Sequence, residues 1–261
     1  MKTVLLIDFG STYTKLTAVS LDEERILGTA AAYTTIETDI NDGLQAGLDI
    51  LERKIGKIGF DECYACSSAA GGLRMITSGL VPELTGEAAR LASLGAGAKV
   101  IHVYAFELTD EDLEEIRAAK PDILLLVGGT DGGNTECIIH NAEALARMKP
   151  DFPIVFAGNR TAAAKCRELL RDCEVYVCPN VMPKFGELKI EAAQKQIREI
   201  FLHRIIQAKG LSRAAELLSD IMMPTPSAVL QAVTLLSDGC GTEPGIGELV
   251  AVDVGGATTD I

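Results

Sequence analysis

Two short segments at opposite ends of the chain repeat one pattern. Ile7-Asp8-Phe9-Gly10-Ser11-Thr12-Tyr13-Thr14 aligns with Val252-Asp253-Val254-Gly255-Gly256-Ala257-Thr258-Thr259. Each is an apolar run, then Asp-x-Gly, then small and hydroxyl residues, then more strand-like sequence. Such a segment has few ways to fold. Glycine after an apolar run lets a strand enter a tight turn and lets the backbone come close to a ligand. Small residues leave N–H groups open to cradle phosphate oxygens. An Asp at the strand end can hold Mg²⁺ through its water shell, which suits a cation that dehydrates reluctantly. Either turn alone is weak evidence and reads more readily as an ordinary β-turn. Two of them facing each other would clamp a triphosphate and its metal.

The sequence between the turns alternates in two rhythms. Lys2–Asp8, Thr12–Ser20 and Ile26–Thr35 read as three neighbouring strands, antiparallel where the connections are short. Leu44, Leu48, Leu51 and Ile55 recur at helical spacing, and Gly56 stops that helix. Cys63–Ser67 is a strand and Pro82–Leu94 a helix. From Lys99 strands and helices alternate at short spacing: Val100–Phe106, Asp110–Ala119, Ile123–Val127, Glu136–Met148, Ile154–Ala157, Ala162–Leu170 and Glu174–Val177. That βαβ series predicts a small parallel sheet. Helices are expected over Ile190–Ile205, ending at Gly210, and over Arg213–Ser219. Another opens with Thr225 as N-cap and Pro226 in the first turn. A last strand, Glu248–Val252, leads into the second turn.

The expected division is therefore 1–98, a β-β-β-α-β-α subdomain; 99–180, an inserted parallel α/β subdomain; 181–247, a helical segment; and 248–261, the first strand and turn of a second lobe. Composition agrees with an α/β fold. Apolar residues make up 48% of the 261 residues and aromatics 5%, with 25 Gly, so the core is aliphatic and punctuated by turns. A net charge of −13 with no basic patch argues against a nucleic-acid partner. No apolar run is long enough to span a bilayer, and Met1-Lys2-Thr3 leads straight into a strand rather than a cleavable signal. A cytoplasmic location is expected. The seven Cys are expected to be reduced, and Cys63-x-x-Cys66 lies in a strand that points them to opposite faces, away from a shared metal.

The paired turns resemble the two phosphate motifs of the actin-like ATPases, the superfamily of heat-shock chaperones, actin and sugar kinases. A closer resemblance runs through Asp8–Lys15, Gly128-Gly129-Thr130-Asp131-Gly132-Gly133-Asn134, Pro224-Thr225-Pro226-Ser227 and Asp253–Asp260. These segments are similar to those of the MutL (GlmL) proteins found beside adenosylcobalamin-dependent glutamate mutase and related aminomutases. The resemblance implies a ribonuclease H-like, actin-type lobe that binds ATP and Mg²⁺. It also implies a chaperone-like ATPase whose partner is an adenosylcobalamin-dependent mutase subunit. Asp8 and Asp253 would position Mg²⁺ and water. Gly10, Ser11, Thr12, Tyr13, Lys15, Gly255, Gly256 and Thr258 would hold the nucleotide. The superfamily's second lobe would begin near Asp253, and its adenosine motif is expected beyond Ile261.

Rival readings stay open. A small-molecule kinase on the same fold would need a general base near the γ-phosphate, and an actin-like scaffold would assemble with nucleotide. Alternation aims Lys15 equally at phosphates or at solvent. Gly128–Asn134 fits neither G-x-x-x-x-G-K-[ST] nor G-x-G-x-x-G. It is a tight structural turn or a ligand contact, with Asp131 the residue to test. His102, His140 and His203 form no metal or catalytic pattern.

Overall fold

The computed structural model describes residues 2–35, 39–68, 73–93, 96, 98–208, 220–241, 243–254 and 259–260. In chain order, β1 (Thr3–Phe9), β2 (Tyr13–Ser20), β3 (Arg25–Tyr33), α1 (Ile40–Ile55) and β4 (Glu62–Ser67) come first. Then follow β5 (Leu73–Gly79), α2 (Pro82–Ser93), β6 (Ala98–Ala105), α3 (Asp110–Ala119), β7 (Ile123–Leu126), α4 (Glu136–Met148), β8 (Ile154–Phe156), α5 (Ala163–Leu169) and β9 (Val175–Val177). The remainder is α6 (Glu191–Ala208), β10 (Asp220–Pro224), α7 (Thr225–Asp238), β11 (Gly239–Cys240), β12 (Glu243–Pro244), β13 (Asp253–Val254) and β14 (Thr259–Asp260). Contacts divide the chain into two compact units, Met1–Gly72 with Phe201–Ile261, and Leu73–Ile200.

The first unit is built on a mixed sheet of order β10-β4-β1-β2-β3. β2 runs antiparallel to both β1 and β3, while β1, β4 and β10 are parallel. Leu5, Ile7, Phe9, Leu16, Ala18, Ala30 and Ala65 are buried on the face that α1 covers with Ile40, Leu44 and Leu51. Each large side chain so buried contributes about 1.5–3 kcal/mol before the entropy of ordering it. Asp39 caps α1 by accepting from the Asn41 N–H, and Gly56 ends it with φ 81°. The other face is wetter: Leu6 and Tyr64 are 42% and 37% exposed there.

The second unit carries an all-parallel sheet of order β6-β5-β7-β8-β9. Its middle strands are buried on both sides, as parallel strands under crossover helices must be. Ile76, Leu124, Leu126, Ile154 and Phe156 pack with Ile116, Ile138 and Leu145 of α3 and α4. Ala88, Ala89 and Ala92 of α2 and Ala193 and Ile197 of α6 are also buried, and the Gln194 amide donates to the Leu91 carbonyl.

The expected series from Lys99 to Val177 forms a parallel sheet, but the sheet also recruits β5. The sequence reading left Leu73–Gly79 and the Asp220–Pro224 strand unassigned. Glu248–Val252, expected as a strand, is not one; Asp253–Val254 instead pairs antiparallel with Thr259–Asp260. The expected helix over Arg213–Ser219 and the stop at Gly210 lie outside the described residues. Among the described residues no helix is long and apolar enough to cross a membrane.

Candidate functional site

Phe9, Ser67 and Pro224 are level in the register of the three parallel strands of the first unit. The chain therefore leaves β1, β4 and β10 at one sheet edge, into Gly10, Ser68 and Thr225. Crevices at the carboxyl ends of parallel strands are where open α/β sheets hold ligands, because successive connections diverge there.

Asp8 sits one residue inside that edge, on the wetter face. Three strands bring polar side chains to it. Lys15, its cross-strand partner on β2, places Nζ 3.4 Å from Oδ2. Cys66, its partner on β4, places Sγ 3.5 Å from Oδ1. Thr225, where β10 becomes α7, donates its hydroxyl to Oδ1 at 2.9 Å. The Asp8 side chain keeps 25% of its surface exposed. Burial, and then the Asp8 charge, push the Cys66 thiol up to about 12, so it stays protonated and acts as a donor.

The turn above Asp8 is tight. The Gly10 N–H donates to the Tyr13 carbonyl at 3.1 Å, and a Cβ on Gly10 would lie 2.6 Å from that oxygen. Only glycine fits. Ser11 is exposed and Thr12 half-buried, its carbonyl accepting from the Thr34 N–H at 2.8 Å. Tyr13 is exposed and meets Tyr33 edge-on at 5.9 Å. Asp8, Gly10, Ser11, Thr12, Tyr13 and Lys15 thus share one corner. Lys15 is exposed and lies on the same face as Asp8. Gly255, Gly256 and Thr258 lie outside the described residues, as does the side chain of Asp253.

Two residues at Asp8 were not expected there. Thr225 was read as a helix N-cap, yet α7 has Pro224 at its cap position and no side-chain cap bond. Its hydroxyl serves Asp8 instead. Cys66 was read only as half of a C-x-x-C pair. The strand period put it on a different face from Cys63, but only the β1–β4 register shows which residue it meets. Among the described residues no group of three or more His, Cys, Asp or Glu could hold a metal ion. One partly exposed carboxylate fits a hydrated Mg²⁺ rather than a protein cage.

The second Gly-rich turn, Gly128–Asn134, follows β7 in the other unit. Its polar groups are largely consumed internally. Buried Asn159 donates to the Gly133 and Asn134 carbonyls at 3.2 and 3.0 Å, and its oxygen accepts from the Gly132 N–H at 3.2 Å. Asn180 donates to the Gly129 carbonyl and to Asp131 Oδ1 at 3.0 and 2.9 Å. Asp131 also accepts from the Arg160 N–H at 3.0 Å. Burial would raise the Asp131 pKa, but the Arg160 N–H, the Asn180 amide and the Arg160 guanidinium outweigh it and hold the carboxyl below its ordinary value.

Comparison with known proteins adds a family. Solved structures that align with the chain include the signal receiver domain of NarL from Mycobacterium tuberculosis, at 14% identity and TM-score 0.33 over 52% of this chain and 98% of that one. The CheB response regulator domain of Thermotoga maritima aligns at 16% identity and TM-score 0.32, covering 53% and 97%. Component A of (R)-2-hydroxyglutaryl-CoA dehydratase from Acidaminococcus fermentans aligns at 12% identity and TM-score 0.22, covering 77% and 100%. Scores this low do not extend the fold assignment. Sequence does more. The chain is 51% identical to Protein MutL of Clostridium tetanomorphum over 265 residues, covering all of this chain and 57% of that relative. The MutL protein family model matches residues 4–261. By both measures, this chain belongs to the MutL protein family.

Proposed function

We propose that the chain is the nucleotide-binding part of an ATP-dependent chaperone that reactivates an adenosylcobalamin-dependent mutase. The observation that carries the ATPase reading is the Asp8 corner. A half-buried carboxylate, fixed by a hydroxyl from the start of α7 and a thiol from β4, lies beside a glycine turn at the carboxyl edge of parallel strands. Strand order supports a ribonuclease H-like, actin-type lobe: reading β3-β2-β1-β4-β10, β2 alone runs against the rest. Membership of the MutL family supports the mutase as partner. In this reading the second turn, with Asp253, Gly255, Gly256 and Thr258, closes on the first.

The chain's own residues have distinct tasks. Gly10 shapes the turn, its N–H tied to the Tyr13 carbonyl, and the exposed Ser11 offers its hydroxyl to phosphate oxygens. Lys15 supplies positive charge at the same corner. Asp8 would hold a hydrated Mg²⁺, and Thr225 and Cys66 keep its Oδ1 pointing one way. When bound, Mg²⁺ would neutralise phosphate charge. Rate then comes from positioning and electrostatic stabilisation rather than covalent chemistry. The test uses the complete protein, purified and mixed with an inactivated mutase holoenzyme and ATP. Recovery of mutase activity that requires ATP is expected. ATP turnover without recovery of any mutase captured with it from the native cell would sink the reactivase reading.

A further inference from the structure

The strand order of the Leu73–Ile200 sheet reverses once. The chain passes from β5 to β6 on one side, then from β6 to β7 on the other side of β5. Connections diverge between β5 and β7, and a crevice opens at their carboxyl ends. In open parallel sheets this is the place ligands occupy. A cavity of about 190 Å³ lies there. Leu80 follows β5, Leu84 and Ala88 belong to α2, Val127 follows β7, and Val181 and Met182 close the far side.

The lining decides the class of ligand. Among the described residues no ionisable side chain contributes to it. The one aspartate of the adjoining turn, Asp131, is spent on Arg160 and Asn180. A phosphate or carboxylate entering here would lose its hydration and meet no cation, which is costly. Thr130, Asn134 and Asn180 supply the polar side chains near the apolar wall, and the Asn180 amide is already bonded to Gly129 and Asp131. For scale, a dry cavity of about 150 Å³ accepts benzene. The room here suits one ring and is too small for a helix.

The mouth is built in advance. Gly129 has φ 72°, and a Cβ there would lie 2.3 Å from the Asn134 carbonyl. Asn180 and Asn159 then fix the turn by the bonds described above. A site held open by a satisfied buried network loses little entropy on binding. We propose that this cavity is a binding site for an uncharged small molecule that inserts a single aromatic or alicyclic ring, edged by Thr130 and Asn134. The site is separate from the Asp8 corner and does not rest on the ATPase reading.

The experiment is a titration of the methyl-labelled protein with indole, followed by NMR. Saturable shifts are expected at the methyls of Leu84, Val181 and Met182, with a dissociation constant of roughly millimolar or tighter. Indole-5-carboxylate should bind about tenfold more weakly or worse, because its charge must be desolvated. Ala88→Leu fills the cavity and should abolish the shifts. Should that variant misfold, Met182→Ala, at a half-buried position on the wall, should weaken indole binding severalfold. The proposal is overturned by an absence of saturable shifts at these methyls in the unaltered protein. It is equally overturned by equal binding of the carboxylate, or by binding that survives in a folded Ala88→Leu protein.

Discussion

Asp8 and Asp131 invite comparison. Each stands at a Gly-rich turn beyond a strand of a sheet, and each is largely buried, with 25% and 19% of the side chain exposed. Their partners differ. Among the described residues Asp8 is held by side chains, Lys15, Cys66 and Thr225, and Ser11 in the turn above it is exposed. Asp131 is held by a backbone N–H and a buried amide, and its turn is sealed by Asn159. The same Asp-and-Gly vocabulary thus forms a partly exposed corner in one unit and a latch in the other. What separates them is where the turn's backbone groups are satisfied, which a motif does not state.

If Asn159 is the latch, its loss should cost most. Asn159 is fully buried and bonds Gly132, Gly133, Asn134 and both the N–H and hydroxyl of Thr161. Asn159→Ala leaves several of those groups unpaired and should destabilise the protein by about 2–4 kcal/mol in denaturant unfolding. A loss under about 0.5 kcal/mol, the scale of an ordinary surface substitution, would show that the turn does not depend on it.

The reciprocal substitution tests the open corner. Asp8→Asn preserves shape, so the fold should survive with an unchanged circular dichroism spectrum. ATP turnover of the complete protein should fall at least about tenfold, or about 1.4 kcal/mol of transition-state stabilisation. Unchanged turnover in a well-folded variant removes the assignment. A finer version removes only the hydroxyl on Oδ1. Thr225→Val should lower turnover by a few-fold, about 1 kcal/mol, while Thr225→Ser keeps most of it. Helix stability should barely respond, since Thr225 makes no cap bond in α7. A loss in the Ser variant with none in the Val variant would instead point to packing of the Thr methyl.

The parts of this corner differ in how visible they are in sequence. Asp8, Gly10 and Lys15 lie within eight consecutive residues, so strand periodicity and turn chemistry place them together. Cys66 is 58 residues from Asp8 and Thr225 is 217. Their contacts exist only through the parallel pairing of β1 with β4 and of β4 with β10. Parallel neighbours carry no short connection that marks them in sequence. The same limit hid two strands. β5 interrupts its apolar run with Arg74, Thr77 and Ser78, and β10 ends in Met222-Met223-Pro224, with proline tolerated at an edge. The series from Ile123 to Val177 was legible because its strands are uniformly apolar and its helices strictly periodic. Glu248–Val252 has a strand's composition, but sequence does not say which neighbour it would pair with.

The smallest effect expected concerns the charge on Asp131, and pH isolates it. An unfolded Asp titrates near pH 3.9, on average. The Arg160 N–H, the Asn180 amide and the Arg160 guanidinium hold the folded carboxyl below its ordinary value despite burial. A depressed folded pKa means that the unfolded chain takes up a proton first as pH falls. The stabilisation is therefore complete above the unfolded pKa and is lost as pH drops through the folded one. Asp131→Asn keeps an oxygen for Asn180 and for the Arg160 N–H but has no charge to titrate. Comparing unfolding free energies of the two proteins from neutral pH to below pH 3 removes the contributions of all other carboxylates. The unaltered protein should lead at neutral pH, and its lead should shrink steadily below about pH 4. The guanidinium is exposed and 3.7 Å away, so salt should trim that lead only slightly, the two direct bonds being screened little. A difference that stays constant across the pH range would mean that Asp131 holds the turn by shape alone.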